Sequence, residues 1–407
     1  MNYILGYFFL LIIFIFLLIS FKKKSEVKFV LLVAFLLRAI CVVFDQFDSI
    51  SLPDGYADAS KFDTAAREFS RNYGLSVVLD FFKADSFLVS RIISIFYTIF
   101  YESKMMAQSL SVAIGTASVY LVYQLSLILW DYRSAKKAAW VAAIFPSLIL
   151  YSSLTLREVY IVFFLLIGLI GIAKFVRSNS FASFLQVVTS MFTLMFFHGP
   201  LAIGGFIFLI YLLINLVKKQ LIKLNSLKIN ISAFLLITLS FIPLILFFTN
   251  NFSFPYIGGI QTLFHLDEFI PKINSFMYGT SSYPSFLTIN NNYELFTKTI
   301  IKIFYFLYSP FIWDIKTTYQ IIGLFDGLLY IVLTIYVIKN WKAIWANPAT
   351  RIFVLLLISY IIIYGISVGN FGSGIRHRSK FVVILIVLAA PKIHKFIFSA
   401  KNKLYNS

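Results

Sequence analysis

The feature that most constrains this chain is a succession of apolar runs, many about as long as the 18 to 20 residues a helix needs to cross a bilayer, and almost empty of charge. Only 13% of the 407 residues are charged, against about a quarter in an average soluble domain. A membrane β-barrel would instead show alternation over strands of about ten residues. The chain therefore reads as an all-α, polytopic transmembrane protein forming a single integral membrane domain over 1–407. The single cysteine, Cys41, lies inside an apolar run, so the chain has no intrachain disulfide.

Lys and Arg collect in cytoplasmic loops, and this orients the spans. The run 3–20 has no basic residue before it, a lysine cluster after it and no small-residue cleavage pattern, so it reads as a retained span with the N-terminus outside. Ten more follow, at 27–44, 105–130, 140–153, 159–173, 181–197, 201–216, 231–248, 321–338, 352–368 and 381–391, about eleven in all. Two large external loops are left, 45–104 and 249–320. Each holds an apolar stretch, 86–101 and 300–313, that reads as an interfacial or re-entrant helix.

The charge balance tests this layout. Cytoplasmic segments hold 20 Lys and Arg and two acids, whereas external segments hold 14 of each sign. The excess of +18 thus lies wholly on one side. That is attraction to anionic lipid, and it removes the reason to invoke nucleic acid.

The polar clusters that look functional all fall on the opposite, external face. Pro53-Asp54-Gly55 is a turn signal, and from Ala57 onward the residues suit a helix with Asp58, Phe62, Ala65 and Ala66 on related faces. Asp54, Asp58 and Asp63 fall within ten residues of a chain poor in acids. Arg157-Glu158, His198 and the series Arg376, His377, Arg378 and Lys380 complete the set. Carboxylates serve as general bases or bind a divalent metal, and arginine pairs with phosphate through two parallel bonds. A site holding both suits a reaction in which a hydroxyl attacks and a phosphate leaves. Simpler roles compete: Asp54 as a turn residue, Asp63 as a solvated helix acid, Arg157-Glu158 as an interfacial anchor, and His198 as a cap beside Gly199-Pro200. Arg38, inside a span, needs a partner or must snorkel, and Asp326 is one candidate for a structural ion pair.

The segment Asp58-Ala59-Ser60-Lys61-Phe62-Asp63-Thr64-Ala65-Ala66, following a span that carries Arg38, resembles the first external loop of the GT-C membrane glycosyltransferases. Phe145-Pro146-Ser147 leading to Leu156-Arg157-Glu158, with Arg376-His377-Arg378 near the end, is similar to glycosyltransferases and polymerases of bacterial surface-polysaccharide clusters. The chain departs from the usual pattern in its extra N-terminal span, in lacking a soluble C-terminal domain, and in Phe62 where Tyr is commoner. The resemblance implies a GT-C-like fold in the bacterial cytoplasmic membrane with its site facing the periplasm. It implies an inverting transferase that uses an undecaprenyl-(di)phosphate-linked sugar or repeat unit to build O-antigen or capsule.

In that scheme Asp58 is the base, or the ligand of a divalent metal such as Mg or Mn, and Glu158 is its helper. Arg157, His198, Arg376, His377, Arg378 and Lys380 hold phosphate, with Asp54, Asp63 and Arg38 as secondary candidates. The implied partners are the lipid-linked donor, a glycan or lipid-linked glycan acceptor, membrane lipid and a chain-length regulator protein. Repeat-unit polymerisation is the favoured version, with single-sugar transfer as the alternative. A lipid-linked oligosaccharide flippase is the non-enzymatic alternative, but it needs polar groups along a path through the membrane, and only Arg38 and Asp326 are charged within spans. A non-catalytic assembly partner has no feature in its favour beyond hydrophobicity.

Overall fold

The computed structural model describes residues 2–21, 25–47, 52, 54–55, 58–81, 83, 85–222, 253–254, 258–259, 266–277, 279 and 281–394. The expected span 231–248 lies outside the described residues. Within them the chain is helical throughout, apart from an antiparallel pair of two-residue strands, Ser253–Phe254 and Gly258–Gly259.

In chain order, α1 (Asn2–Ser20) and α2 (Ser25–Phe44) are apolar hairpin arms. α3 (Asp58–Tyr73) and α4 (Leu88–Ile99) form an amphipathic pair, and α5 (Lys104–Leu129) is the longest helix. α6 (Tyr132–Ile144) and α7 (Pro146–Tyr151) follow, then α8 (Glu158–Ser178), α9 (Phe181–Phe197) and α10 (Ile203–Ile222). Beyond the strand pair come α11 (Leu266–Asn274), α12 (Asn292–Tyr308), α13 (Thr318–Lys339) and α14 (Trp341–Ala346). The last three are α15 (Pro348–Ser367), α16 (Phe371–Ser379) and α17 (Val382–Ala389).

Six of these, α1, α2, α5, α8, α13 and α15, are long and apolar enough to cross a membrane. Other expected spans take different forms. The run 140–153 is broken into α6 and α7, because Pro146 holds Phe145 in extended backbone (ψ 122°) and then opens the next helix at its first position. The run 381–391 is only an eight-residue helix with a 3-10 turn. Every residue of α17 is buried, as an all-apolar helix in a bundle interior should be. Trp130 Nε1 and Asn340 Nδ2 donate to its Val387 and Leu388 carbonyls at 2.9 Å each, tying its end to α5 and α13. Before the last expected span lies the helix α16, capped by Asn370 Oδ1, which accepts from Ser373 N at 2.9 Å. The apolar stretch at 300–313 belongs to α12, which starts eight residues earlier and ends at Tyr308.

Enclosure varies along the bundle in a way that matters for the site. In α1 only 17% of the spanning window is inside the molecule, whereas in α8 the share is 72%. Helix α8 is the central post, and its first residue is Glu158. Helix α3 packs on α4 near the start of this post, with Ala59, Phe62, Asp63 and Ala66 buried. Two hydroxyls fasten it by its own carbonyls: Thr155 Oγ1 donates to Ala59 O at 2.9 Å and Ser90 Oγ to Phe62 O at 2.8 Å.

Candidate functional site

Two helix starts and one helix end meet at this point. Asp54 occupies the left-handed region (φ 64°), which Asp tolerates better than most residues, and its carbonyl accepts from Ala59 N at 3.3 Å. That turn places Asp58 at the first position of α3. The buried turn 154–157 places Arg157 before α8 and Glu158 at its start, where the helix dipole favours an acid. α16 brings Arg376 and His377 in its last turn, and Lys380 follows one turn after Arg376 on the same side.

The Asp58 carboxylate is bonded by Arg376 Nη1 and is met by Lys61 Nζ at 3.5 Å. Glu158, wholly buried, sits at ion-pair distance from three cations: Lys380 Nζ at 3.5 Å, Arg376 Nε at 3.6 Å and Arg157 Nε at 3.9 Å. Lys380 Nζ also lies 2.8 Å from His377 Nδ1. The His377 ring stacks on Tyr364 at 4.9 Å, and Tyr364 Oη lies 3.0 Å from His198 Nδ1. The two histidine rings are 5.5 Å apart. Asp54, Asp58, Lys61, His198, Arg376 and His377 line a cavity of about 520 Å³, within the range of ligand sites. The rest of its lining is uncharged and includes Ser275, Ser281, Ser367, Asn370 and Ser373.

These surroundings set the charge states. Burial raises the Asp58 carboxyl, but the Arg376 guanidinium, with Lys61 and Arg157 behind it, outweighs this and holds it below the usual carboxylate range. Asp54 goes the other way: burial raises it, although Arg376 pulls against the shift. Burial also drives His198 and His377 well below the ordinary histidine range, and the charges of Lys380, Arg376 and Arg157 add to that. Both imidazoles are therefore neutral at pH 7. Burial lowers Lys380 strongly, Glu158 opposes the shift, and Arg157 and Arg376 reinforce it.

The structure thus brings together Asp54, Asp58, Arg157, Glu158, His198, Arg376, His377 and Lys380. It separates three other candidates from them. Arg378 is not available to a phosphate: it faces away, fully buried, with Nε on Asp326 Oδ2 at 3.0 Å and its remaining donors on the carbonyls of Phe306, Leu307, Ser309 and Gly323. That also corrects the pairing of Asp326 with Arg38. Arg38 instead donates to Ser152 Oγ at 2.7 Å and to the carbonyls of Ala34, Ala143 and Ala142 inside the bundle. Asp63 is buried rather than solvated, bonded by Tyr97 and by Arg67 Nε at 2.9 Å, and it fixes α3 to α4.

Two side chains at the site escaped the sequence reading. Tyr364 is a polar residue near the end of an apolar span, one turn after Tyr360, and that spacing was the available signal. Lys61 lies one turn after Asp58. The fit to a divalent ion is poor. Among the described residues no three His, Cys, Asp or Glu side chains form a metal-ligating group, and Asp58 is already engaged by Arg376 and Lys61. No step below runs through a metal. A comparison of the sequence with protein-family models and with curated proteins finds no match.

Proposed function

We propose that the chain is a membrane glycosyltransferase that takes a sugar or repeat unit from a polyprenyl-(di)phosphate carrier, and that it joins repeat units of a bacterial surface polysaccharide on the membrane face away from the cytosol. One observation carries this reading. Two carboxylates, Asp54 and Asp58, line a ligand-sized cavity together with the buried Arg376 and several hydroxyls, and Lys380 and Arg157 gather with Arg376 around Glu158. Such a cavity divides its contacts between a charged leaving group and an uncharged glycan.

In the reaction an acceptor hydroxyl oxygen forms a bond to the anomeric carbon. The bond from that carbon to the phosphate oxygen breaks, its electron pair stays on the phosphate, and the hydroxyl proton passes to a carboxylate. Arg376, Lys380 and Arg157 oppose the charge that builds on the departing phosphate. Arg376 is bound to Asp58, which makes that carboxylate a weak base. A phosphate that draws Arg376 to itself releases Asp58 as the proton acceptor. Asp54, with its raised carboxyl on the same cavity wall, is the second candidate for the proton.

The test is an assay of membrane vesicles containing the chain, supplied with lipid-linked repeat units, with polymer read on a gel. Asp58→Asn and Arg376→Ala should abolish polymer at normal protein level and leave single lipid-linked units to accumulate. Wild-type polymer from both variants would overturn the assignment.

A further inference from the structure

His377 lines the cavity and is buried, so its use depends on which ring nitrogen carries the proton. A neutral imidazole has one donor and one acceptor nitrogen, and the partner of one decides the role of the other. Here the partner is Lys380, 2.8 Å from Nδ1, and Lys380 is itself held 3.5 Å from Glu158 Oε1. An ammonium has three donors and no acceptor. If Lys380 is charged, Nδ1 must accept, and the ring proton must sit on Nε2. If Lys380 is neutral, its lone pair can accept from an Nδ1–H, and Nε2 becomes a bare acceptor that would repel a phosphate oxygen.

The groups facing Lys380 decide between these states. From α8 come Glu158 and the adjoining Arg157, from α16 come Arg376 and His377, and Tyr364 of α15 places its ring 5.4 Å from Nζ, where a cation is favoured. Two guanidiniums and one carboxylate leave the ammonium short of negative charge. A phosphate that binds beside Arg376 and His377 brings negative charge toward the ammonium.

We propose that Lys380 is a positioning residue: with a phosphate bound, its ammonium, anchored by Glu158, donates to His377 Nδ1, so that His377 presents Nε2–H to a phosphate oxygen as a neutral hydrogen-bond donor. The proposal rests on the phosphate reading of the cavity above. It assigns the three residues different tasks. Glu158 holds Lys380, Lys380 sets the tautomer, and His377 touches the leaving group. The site then gains a donor without adding another buried charge to Arg157 and Arg376.

The test is nitrogen NMR of histidine-labelled protein in lipid nanodiscs, titrated with polyprenyl phosphate. The chain has four histidines, so a His377→Asn sample assigns the relevant signals. The expected result is a single Nε2–H tautomer for His377 in the loaded wild type, and loss of that single state in Lys380→Met with the His198 signals unchanged. Lys380→Arg keeps N–H donors and offers no acceptor. It should restore the tautomer and recover more polymer than Lys380→Met. An Nδ1–H tautomer in the loaded wild type, or one unaffected by Lys380→Met, overturns the proposal. The phosphorus signal of the probe separates this from the wider reading. If it is unchanged by the wild-type protein, the phosphate assignment fails and the proposal fails with it.

Discussion

Replacing Arg378 with Gln tests whether this arginine is structural, and the cost can be worked from its surroundings. The wild-type guanidinium bonds one buried carboxylate and four carbonyls drawn from the end of α12, the segment after it, and α13. Removing one partner of a buried pair leaves an uncompensated charge, here on Asp326, at a cost of about 3–5 kcal/mol. The carbonyls that Gln fails to reach add about 1 kcal/mol each. The total approaches the lower part of the 5–15 kcal/mol that holds a typical domain together. Thermal melts of the purified protein in detergent, followed by tryptophan fluorescence, should therefore show a large fall in Tm for Arg378→Gln. Asp326→Asn should fall by a comparable amount. A combined Arg378→Met and Asp326→Leu variant should fall by much less than the two single losses added, because no charge is left behind. A wild-type Tm for Arg378→Gln, together with loss of the proposed polymer synthesis, would refute the reasoning and return Arg378 to the proposed phosphate site.

Two further outcomes follow from neighbouring geometry. A Cβ on Gly115 would stand 2.4 Å from Ser152 Cβ and 3.0 Å from Arg38 Nε, so Gly115→Ala should push the Arg38–Ser152 bond apart and cost about 1–3 kcal/mol in the same melts. The pH dependence of stability should carry the mark of the Asp58–Arg376 pair. The folded carboxyl lies below its unfolded value of about 3.9, so the contribution is complete above that pH and is lost as pH falls through the folded value. The Tm difference between wild type and Asp58→Asn should accordingly shrink in that acidic window and stay constant from pH 5 upward.

How much of this was legible in the sequence depends on what each inference used. Membrane-spanning helices follow from apolar length alone, and the proline at 146 was a visible break that hydropathy masked, because the residues on both sides are apolar. The meeting of Asp58 with Arg376 was readable from charge placed against the local bias. The fate of Arg378 was not. Read from sequence alone, residues 376 to 378 share one target, but on a helix each step turns about 100°, so the three side chains diverge to Asp58, to the histidine pair and to Asp326. Arg38 and Asp326 were matched on depth in the membrane, and depth says nothing about which side of the bundle a residue occupies. Asp63 looked solvated because its partner Tyr97 lies 34 positions away on another helix.

The acid and the arginine of the central pair are separated by 318 positions. Synthesis delivers the first of them 318 residues before the second. A nascent chain can thus insert, bury its early helices and wait without any working centre. A product cut short before residue 376 would keep the early helices α1 to α8 but lack the arginine that pairs with Asp58.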